Sequence, residues 1–370
     1  MPLDSPSRRA LIKGLAAAGL VGSLPAAYAA PRQSGGKQGL GVALVGLGYY
    51  STDLLAPGLQ LTRNCHLAGI VTGTPSKAVE WQRKYDLPDR NIFDYDDFDR
   101  IADNPDIDVV YVVLPNHLHK PFTLRAAAAG KHVWCEKPMA MDAAEARAMI
   151  DACQRNKVKL AIGYRMQHEP NTQRVIGFAR DRPYGGLRSL RCEAGFHAFD
   201  DAAGSDNWRL DRVRGGGAMY DMGVYSLNAA RYTSGEEPVA VTARKSVQRP
   251  YVFTQVDETM EFDLEFPSGL MATCSTSFGK NMNLLRADAQ RGWYELSPFQ
   301  AYSGIQGRTS DGLLLDARVA HQQALQMDND ARSIMQGTPM RVPGEEGLRD
   351  MRVVDAIFRS AAEQRRALIG

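Results

Sequence analysis

The sequence predicts an α/β protein: an N-terminal doubly wound parallel sheet, then a C-terminal α+β domain with a large, mainly antiparallel, open-faced sheet. Three observations carry that prediction. From residue 40 to about residue 163, short apolar β-rich runs alternate with helical segments, the pattern of βαβ units. The first of these runs opens into the glycine turn Gly46-Leu47-Gly48, as the first strand of a Rossmann-type sheet does. Past residue 163 long β-rich segments follow one another with few helices, which suits an antiparallel sheet with one face free to meet a partner.

The 370 residues are 44% apolar and 23% charged, ordinary for a soluble chain of about two domains. A net charge of +2 leaves no electrostatic footprint for nucleic acid or an anionic membrane, so neither is an expected partner. No internal apolar run approaches the roughly 20 residues that span a bilayer. The five cysteines (Cys65, Cys135, Cys153, Cys192, Cys274) lack C-x-x-C spacing and read as small buried residues. No His/Cys cluster has ligand spacing, so no metal site is expected.

Taken in order, residues 1–30 read as a signal peptide. Ser7-Arg8-Arg9-Ala10-Leu11-Ile12-Lys13 is a twin-arginine pattern, Gly14–Leu24 a weakly apolar core, and Ala27-Tyr28-Ala29 a cleavage site. Export to the periplasm by the twin-arginine route is the expectation. Residues 31–40 form a polar, Gly-rich arm. The first domain, 41–163, begins with the strand that enters the glycine turn, and Ser51 opens a helix to about Leu61. Strand His66–Thr72, helix Lys77–Tyr85, the turn Asp86–Asn91 and an acidic stretch around Tyr95 follow. Strand Ile107–Leu114 ends at Pro115, and an Ala-rich helix over Phe122–Gly130 is stopped by its glycine. The strand ending Val133-Trp134-Cys135 comes next. Helix Asp142–Lys157 has Asp142 as N-cap with Glu145 at capping-box spacing, and Lys159–Tyr164 is another strand. The second domain, 164–370, holds helices Asn171–Arg180 and Ala218–Ser234. Its β-rich segments are Pro238–Arg249, Thr259–Pro267 and Met271–Phe278, with shorter pieces at Gly292–Ser297 and Gly312–Asp316. Two helices close the chain, Ala320–Gln336 and Gly344–Arg366, and the last is expected to pack back on the first domain.

Chemistry concentrates at strand ends, where ligands bind in open α/β sheets. In the turn after the first strand, Gly46 permits the sharp bend and Gly48 lets a pyrophosphate approach the backbone. The helix N-terminus then faces the phosphates, with Ser51 in the place of the third small residue. The strand ending at Thr72-Gly73-Thr74-Pro75-Ser76-Lys77 offers no acid for a ribose diol. Hydroxyls, backbone amides and Lys77 suit a 2′-phosphate, so we read NADP over NAD; a lysine that merely starts a solvated helix is the plainer alternative. Glu136-Lys137-Pro138 ends another strand and places an amine where a catalytic lysine would serve. Asp221 and Tyr225, four apart after Gly215-Gly216-Gly217, share a helix face. Tyr225 can act as an acid or base only if a cation such as Lys137 lowers its pKa from near 10. A core tyrosine and a surface acid are the plainer readings of the pair.

These stretches resemble the glucose–fructose oxidoreductase/inositol dehydrogenase (Gfo/Idh/MocA) family, from about Gly41 to Arg366. The resemblance rests on Gly46-x-Gly48, Leu114-Pro115-Asn116-x-x-His119, Ala129–Val133, Glu136-Lys137-Pro138, Gly163-Tyr164-Arg165, Glu169-Pro170, the triple glycine and Asp221-x-x-x-Tyr225. Trp208-Arg209-Leu210, the stretch Arg231–Pro238 and the stretch Pro343–Gly347 are similar to the glucose–fructose and periplasmic aldose–aldose oxidoreductase branch. The resemblance implies that Lys137 and Tyr225 handle the proton on the reacting sugar oxygen and that Asp221 orients a sugar hydroxyl. Glu136 would hold Lys137 and the nicotinamide ribose. Thr72, Gly73, Lys77 and Tyr95 would hold the 2′-phosphoadenosine end. Gly46, Leu47, Gly48, Tyr49, Tyr50, Leu114, Pro115, Asn116 and His119 would line the cofactor, with Arg165, Trp208 and Arg209 closing over the rest; Arg165 would also face the sugar. The chain departs from relatives at Tyr49, Ser51 and His168 and around Phe278–Gln306. Relatives with a longer, proline-rich arm fold it over a neighbouring subunit; this arm is shorter, and a homodimer through the C-terminal sheet is expected.

The function so implied is NADP-dependent sugar oxidation at C1 to a lactone, with reduction of a second aldose or ketose to an alditol. An exported enzyme meets little free NADP, so a tightly bound cofactor recycled by two monosaccharide substrates in a ping-pong cycle is expected. Alternatives are an aldose or dihydrodiol dehydrogenase with exchangeable NADP, an NAD-dependent glycoside hydrolase of the same superfamily, and a catalytically silent NADP-binding sensor.

Overall fold

A computed structural model describes residues 39–200 and 206–370. The twin-arginine stretch and the arm up to residue 38 lie outside the described residues. β1 (Leu40–Val45) is apolar on both faces, as a central parallel strand must be. Val42 and Leu44 face one core, while Ala43 and Val45 face the other. After the turn the chain forms a π-helical turn, Ser51–Leu55, that runs into α1 (Ala56–Leu59). Pro57 has no N–H to donate, and the turn ahead of it widens, with Ala56 donating to Ser51 five residues back. Then come β2 (Cys65–Val71), α2 (Pro75–Tyr85), β3 (Ile92–Phe93) and β4 (Val109–Val112). α3 (His119–Ala128), β5 (His132–Cys135), α4 (Ala143–Arg155) and β6 (Leu160–Ile162) complete this part. All six strands pair in parallel in the order β3-β2-β1-β4-β5-β6, with helices on both faces. Asp142 caps α4 as expected, its Oδ1 accepting from the Glu145 amide at 2.7 Å. The Glu145 carboxylate returns to the amide of Met141 at 3.2 Å, one residue short of a full capping box.

The second part opens with α5 (Pro170–Asp181) and β7 (Leu187–Gly195). A second π-helical turn, Met219–Gly223, leads into α6 (Val224–Ser234). The remaining strands are β8 (Ala240–Ser246), β9 (Thr259–Glu265), β10 (Met271–Ser277), β11 (Met282–Ala289), β12 (Gly292–Leu296), β13 (Gly307–Thr309) and β14 (Leu314–Leu315). α7 (Gln322–Met335), α8 (Gly344–Glu363) and β15 (Ala367–Leu368) end the chain. The sheet order is β14-β13-β12-β11-β7-β10-β9-β8-β15, antiparallel at each described pair except β7–β10. α6 covers one face. On the other, Thr242, Arg244, Glu261, Asp263 and Thr273 point to solvent, giving the open face.

β7 and β11, near the middle of this sheet, are absent from the elements read in the sequence. The inward residues of β7 after Leu190 are Cys192 and Ala194, small side chains that give a weak alternation, and β11 carries Arg286 and Asp288. Their strand character comes from pairing with neighbours.

The C-terminal helices return to the parallel sheet. Met327 and Ala331 of α7 pack in the core behind β1 and β2, and the Asp328 carboxylate accepts from the Arg63 and Asn64 amides at 2.8 Å. α8 begins with Gly344 so close to Leu160 and Ile150 that a Cβ there would stand 2.8 Å from the leucine. The Ala143 amide donates to Asp355 at 3.0 Å. No helix among the described residues is long and apolar enough to cross a membrane, and all five cysteines are buried and free.

Candidate active site

The turn after β1 is built for close approach. Gly46 has φ +91°, and a Cβ on it would stand 2.5 Å from the Val113 carbonyl oxygen. Around Gly48 nothing lies within 4 Å of where a Cβ would be, so the protein itself does not demand that glycine. A pyrophosphate laid against the backbone would. Ser51 is buried, and its hydroxyl donates to the Gly46 carbonyl at 2.6 Å, bracing the turn from beneath. Lys77, on α2, donates to the Leu47 carbonyl at 2.9 Å. The amine therefore hangs beside the glycine turn, and its helix starts just past the end of β2, after Thr72, Gly73 and Thr74. Tyr95 joins them: a Cβ on Gly73 would touch its ring at 3.0 Å. A cation and hydroxyls with no carboxylate at this strand end fit a phosphorylated ribose.

Leu114 and Pro115 end the strand segment after β4. Asn116 is buried and donates to the Gly215 carbonyl at 2.7 Å, joining the triple-glycine loop to the first sheet. His119 lies behind this turn, each ring nitrogen 2.8 Å from a carbonyl, those of Pro138 and Leu114. Burial pulls its pKa to about 4, against those two acceptors. The ring ties the Leu114 and Pro138 loops together.

At the end of β5 the Glu136 carboxylate is buried and accepts from the Tyr111 hydroxyl at 2.7 Å. Burial raises its pKa, with Lys137, Tyr111 and Arg165 pulling the other way. Gly163 makes room for it, since a Cβ there would stand 2.4 Å from Oε1. Lys137 crosses to the second domain. Its Nζ donates to the Asp221 carbonyl at 2.7 Å, stands 3.9 Å from the Asp221 carboxylate, and lies 4.6 Å from the centre of the Tyr225 ring. Burial lowers its pKa, opposed by Asp221 and Glu136.

Asp221 sits in the π-helical turn and Tyr225 in the first turn of α6. Asp257, absent from the sequence reading, holds this start: its carboxylate accepts from the Met219 amide at 2.6 Å, in the space left by the missing Cβ of Gly217. Arg209 donates to the Asp221 carboxylate at 2.9 Å and stacks on Trp208, 4.5 Å from its ring centre. Burial pushes the Tyr225 phenol up to about 12, and the foremost opposing charge is Arg165. The sequence reading gives Lys137 that part; in the structure Lys137 covers the ring face, and the guanidinium of Arg165 lies 5.7 Å from the ring centre.

Arg165 is itself fully buried. It donates to the Ala301 carbonyl at 3.0 Å and to Gln300 and Gln322, and covers the Tyr302 ring at 4.7 Å. Tyr302 in turn meets Tyr50 with ring centres 6.0 Å apart, and its hydroxyl engages Tyr49. Tyr302, Tyr111 and Gln322 are site residues that sequence reasoning missed. The only signal for Tyr302 is its place in the divergent stretch Phe278–Gln306. Among the described residues no group of His, Cys, Asp and Glu could hold a metal ion.

The cleft thus joins a glycine turn with room for a pyrophosphate, a strand end that suits a phosphorylated ribose, and a buried cluster of Lys137, Asp221, Arg165 and Tyr225. Comparison with known proteins places this arrangement. A family model for an oxidoreductase family with an NAD-binding Rossmann fold matches residues 40–164, and the GFO/IDH/MocA C-terminal domain matches residues 175–292. The chain is 41% identical to the aldose-aldose oxidoreductase from Caulobacter crescentus, whose glycerol complex superposes with a TM-score of 0.85 over 89% of this chain and 99% of that one. It is 26% identical over 329 residues to the D-xylose 1-dehydrogenase [NADP(+)] of Haloarcula marismortui, covering 86% of this chain and 90% of the relative. The trans-1,2-dihydrobenzene-1,2-diol dehydrogenase of Sus scrofa is 28% identical over 236 residues, 63% of this chain and 67% of the relative.

Proposed function

The chain belongs to the Gfo/Idh/MocA oxidoreductase family, and on that premise we propose that it is a periplasmic sugar oxidoreductase that keeps NADP bound and cycles between two sugars. An NADP-linked sugar oxidoreductase is what its relatives make it. The finer reading is oxidation of an aldose at C1 to a lactone, then reduction of a second aldose or ketose to an alditol, in ping-pong order.

One observation carries the reading. Lys137, Arg165 and the Asp221–Tyr225 pair converge from three separate segments of the chain on one cleft that also holds a strand end suited to a 2′-phosphate. NADP, when bound, supplies the hydride acceptor in one half-reaction and the donor in the other. The protein handles the proton. With its pKa pushed up to about 12, Tyr225 rests as the phenol, the form needed to protonate an alkoxide in the reductive half. The oxidative half needs the phenolate, which Lys137 over the ring and Arg165 beside it stabilise. Asp221, fixed by Arg209, is placed to accept a bond from a neighbouring sugar hydroxyl. Glu136 and Tyr111 brace the Lys137 backbone from behind.

Export through the twin-arginine stretch Ser7–Lys13 motivates the bound cofactor, since free NADP is scarce outside the cytoplasm. The open face of the nine-stranded sheet is the surface we assign to a homodimer. A dehydrogenase with exchangeable NADP is the second reading, favoured by the likeness to D-xylose 1-dehydrogenase. Denaturing the purified protein, identifying the released nucleotide and assaying lactone formation from aldoses without added cofactor separates the two. Released NADP(H) with cofactor-free turnover is expected; loss of NADP on dialysis, with turnover restored only by adding it, would overturn the bound-cofactor reading.

A further inference from the structure

Two stretches singled out in the sequence, Arg231–Pro238 and Pro343–Gly347, have no part in the chemistry above. The fold joins them through one buried side chain. Arg231 of α6 donates to Glu237 through Nε and Nη2 at 2.7 and 2.8 Å, and to Glu346 of α8 through Nη1 and Nη2 at 3.0 and 3.1 Å. It also donates to Asp350, one turn further along α8.

The same two acids hold the segments that carry the proton-handling residues. Glu346 accepts from Gln167 at 3.0 Å and from Asn228 at 3.1 Å, while Asp350 accepts from Asn228 at 2.9 Å and engages Tyr164. Gln167 also donates to Asn228 directly at 2.9 Å. Tyr164 and Gln167 flank Arg165. Asn228 lies one turn beyond Tyr225 on its own helix, and Arg231 one turn beyond Asn228. α8 is therefore the common support of two segments whose tips, Arg165 and Tyr225, meet in the cleft.

We propose that Arg231, Glu346 and Asp350 are positioning residues that set the Arg165–Tyr225 contact. The proposal rests on Tyr225 being the proton-transfer group. A buried ion cluster adds little net stability compared with apolar packing, but its directional bonds fix where each segment sits. Arg165 offsets the burial of the Tyr225 phenol, so a shift in this support changes the phenol's proton affinity as well as its reach.

The test uses NADP-loaded Glu346→Gln and Arg231→Lys proteins, with Tyr225→Phe as the control. For both variants kcat should fall about tenfold or more, as sub-ångström to 1 Å misplacement of catalytic groups costs, with KM for the aldose nearly unchanged. The limb of the kcat–pH profile that reports the proton acceptor should move to higher pH, a shift that a purely structural role would not produce. Should Arg231→Lys fail to fold, Glu346→Gln decides alone, since its carboxylate is at the rim of the cluster with 13% side-chain exposure. Parent-level kcat and pH profile in folded Glu346→Gln, with Tyr225→Phe inactive, would overturn this inference alone. An active Tyr225→Phe would instead remove the reading of Tyr225 on which it rests.

Discussion

The amine of Lys137 meets Asp221 at the backbone carbonyl, 2.7 Å away, while the Asp221 carboxylate stands at 3.9 Å and is held by Arg209 at 2.9 Å. Lys137 thereby pins the π-helical turn, and Arg209 fixes the direction of the acid. Burial lowers the Lys137 pKa, and the charges of Asp221 and Glu136 oppose that shift.

Lys137→Ala should therefore cost turnover and leave the cofactor in place. Losing the cation over the Tyr225 ring and the tie to Asp221 is expected to lower kcat by about 100-fold or more, the lower end of acid–base contributions. Single-turnover kinetics alongside quantitation of bound nucleotide checks it. Unimpaired turnover would contradict the role given to Lys137.

Lys77→Ala should change cofactor choice. Removing a charged donor from the end of β2 is expected to weaken NADP by about 10- to 100-fold while leaving NAD nearly untouched. Titrating protein stripped of nucleotide with each cofactor measures the ratio. Equal weakening of both would mean that Lys77 only braces the glycine turn through Leu47.

Two glycines should fail in opposite ways. Gly163→Ala puts a Cβ 2.4 Å from Glu136 Oε1, so Glu136 must leave its bond with Tyr111, at a cost of about 1–3 kcal/mol. Gly48→Ala meets no protein atom within 4 Å and should leave the melting temperature of the nucleotide-free protein unchanged while abolishing cofactor loading. Thermal melts with and without NADP distinguish the two.

Asp350 provides a pH signature. Burial and the charge of Glu346 raise its pKa from 3.8 to about 6 despite Arg231, with Tyr164 and Asn228 completing its surroundings and Glu237 and Arg349 on the outer side of the cluster. A carboxyl whose folded value exceeds its unfolded value stabilises the fold fully below the unfolded pKa, and that contribution is lost as pH rises through the folded value. The stability of the parent relative to Asp350→Asn should thus decline between about pH 4 and about pH 6. Urea unfolding of both proteins across that window reads it, and a difference independent of pH would contradict the assignment.

Much of the first domain was legible because its signals are local. The apolar alternation, the Gly46–Gly48 turn, the Asp142 cap and the strand ending at Glu136-Lys137-Pro138 each lie within a few residues. The Asp221–Tyr225 pair was legible for the same reason, as a helical spacing. The middle of the second sheet was not, because the small and polar residues of β7 and β11 become strands only between neighbours that the chain supplies elsewhere.

By itself, then, the sequence determined the two-part α/β architecture and the glycine turn after the first strand, both written in short-range periodicity and strand-end composition. Tertiary structure alone decided which charge meets which. Arg165 reaches Tyr225, Asp257 caps the helix that carries it, Tyr302 closes against Tyr50, and Arg231 gathers Glu237, Glu346 and Asp350. Most of those partners are tens to more than a hundred residues apart, so no local pattern encodes them. Burial then fixes what each can do, because the same side chains would keep nearly ordinary pKa values in water.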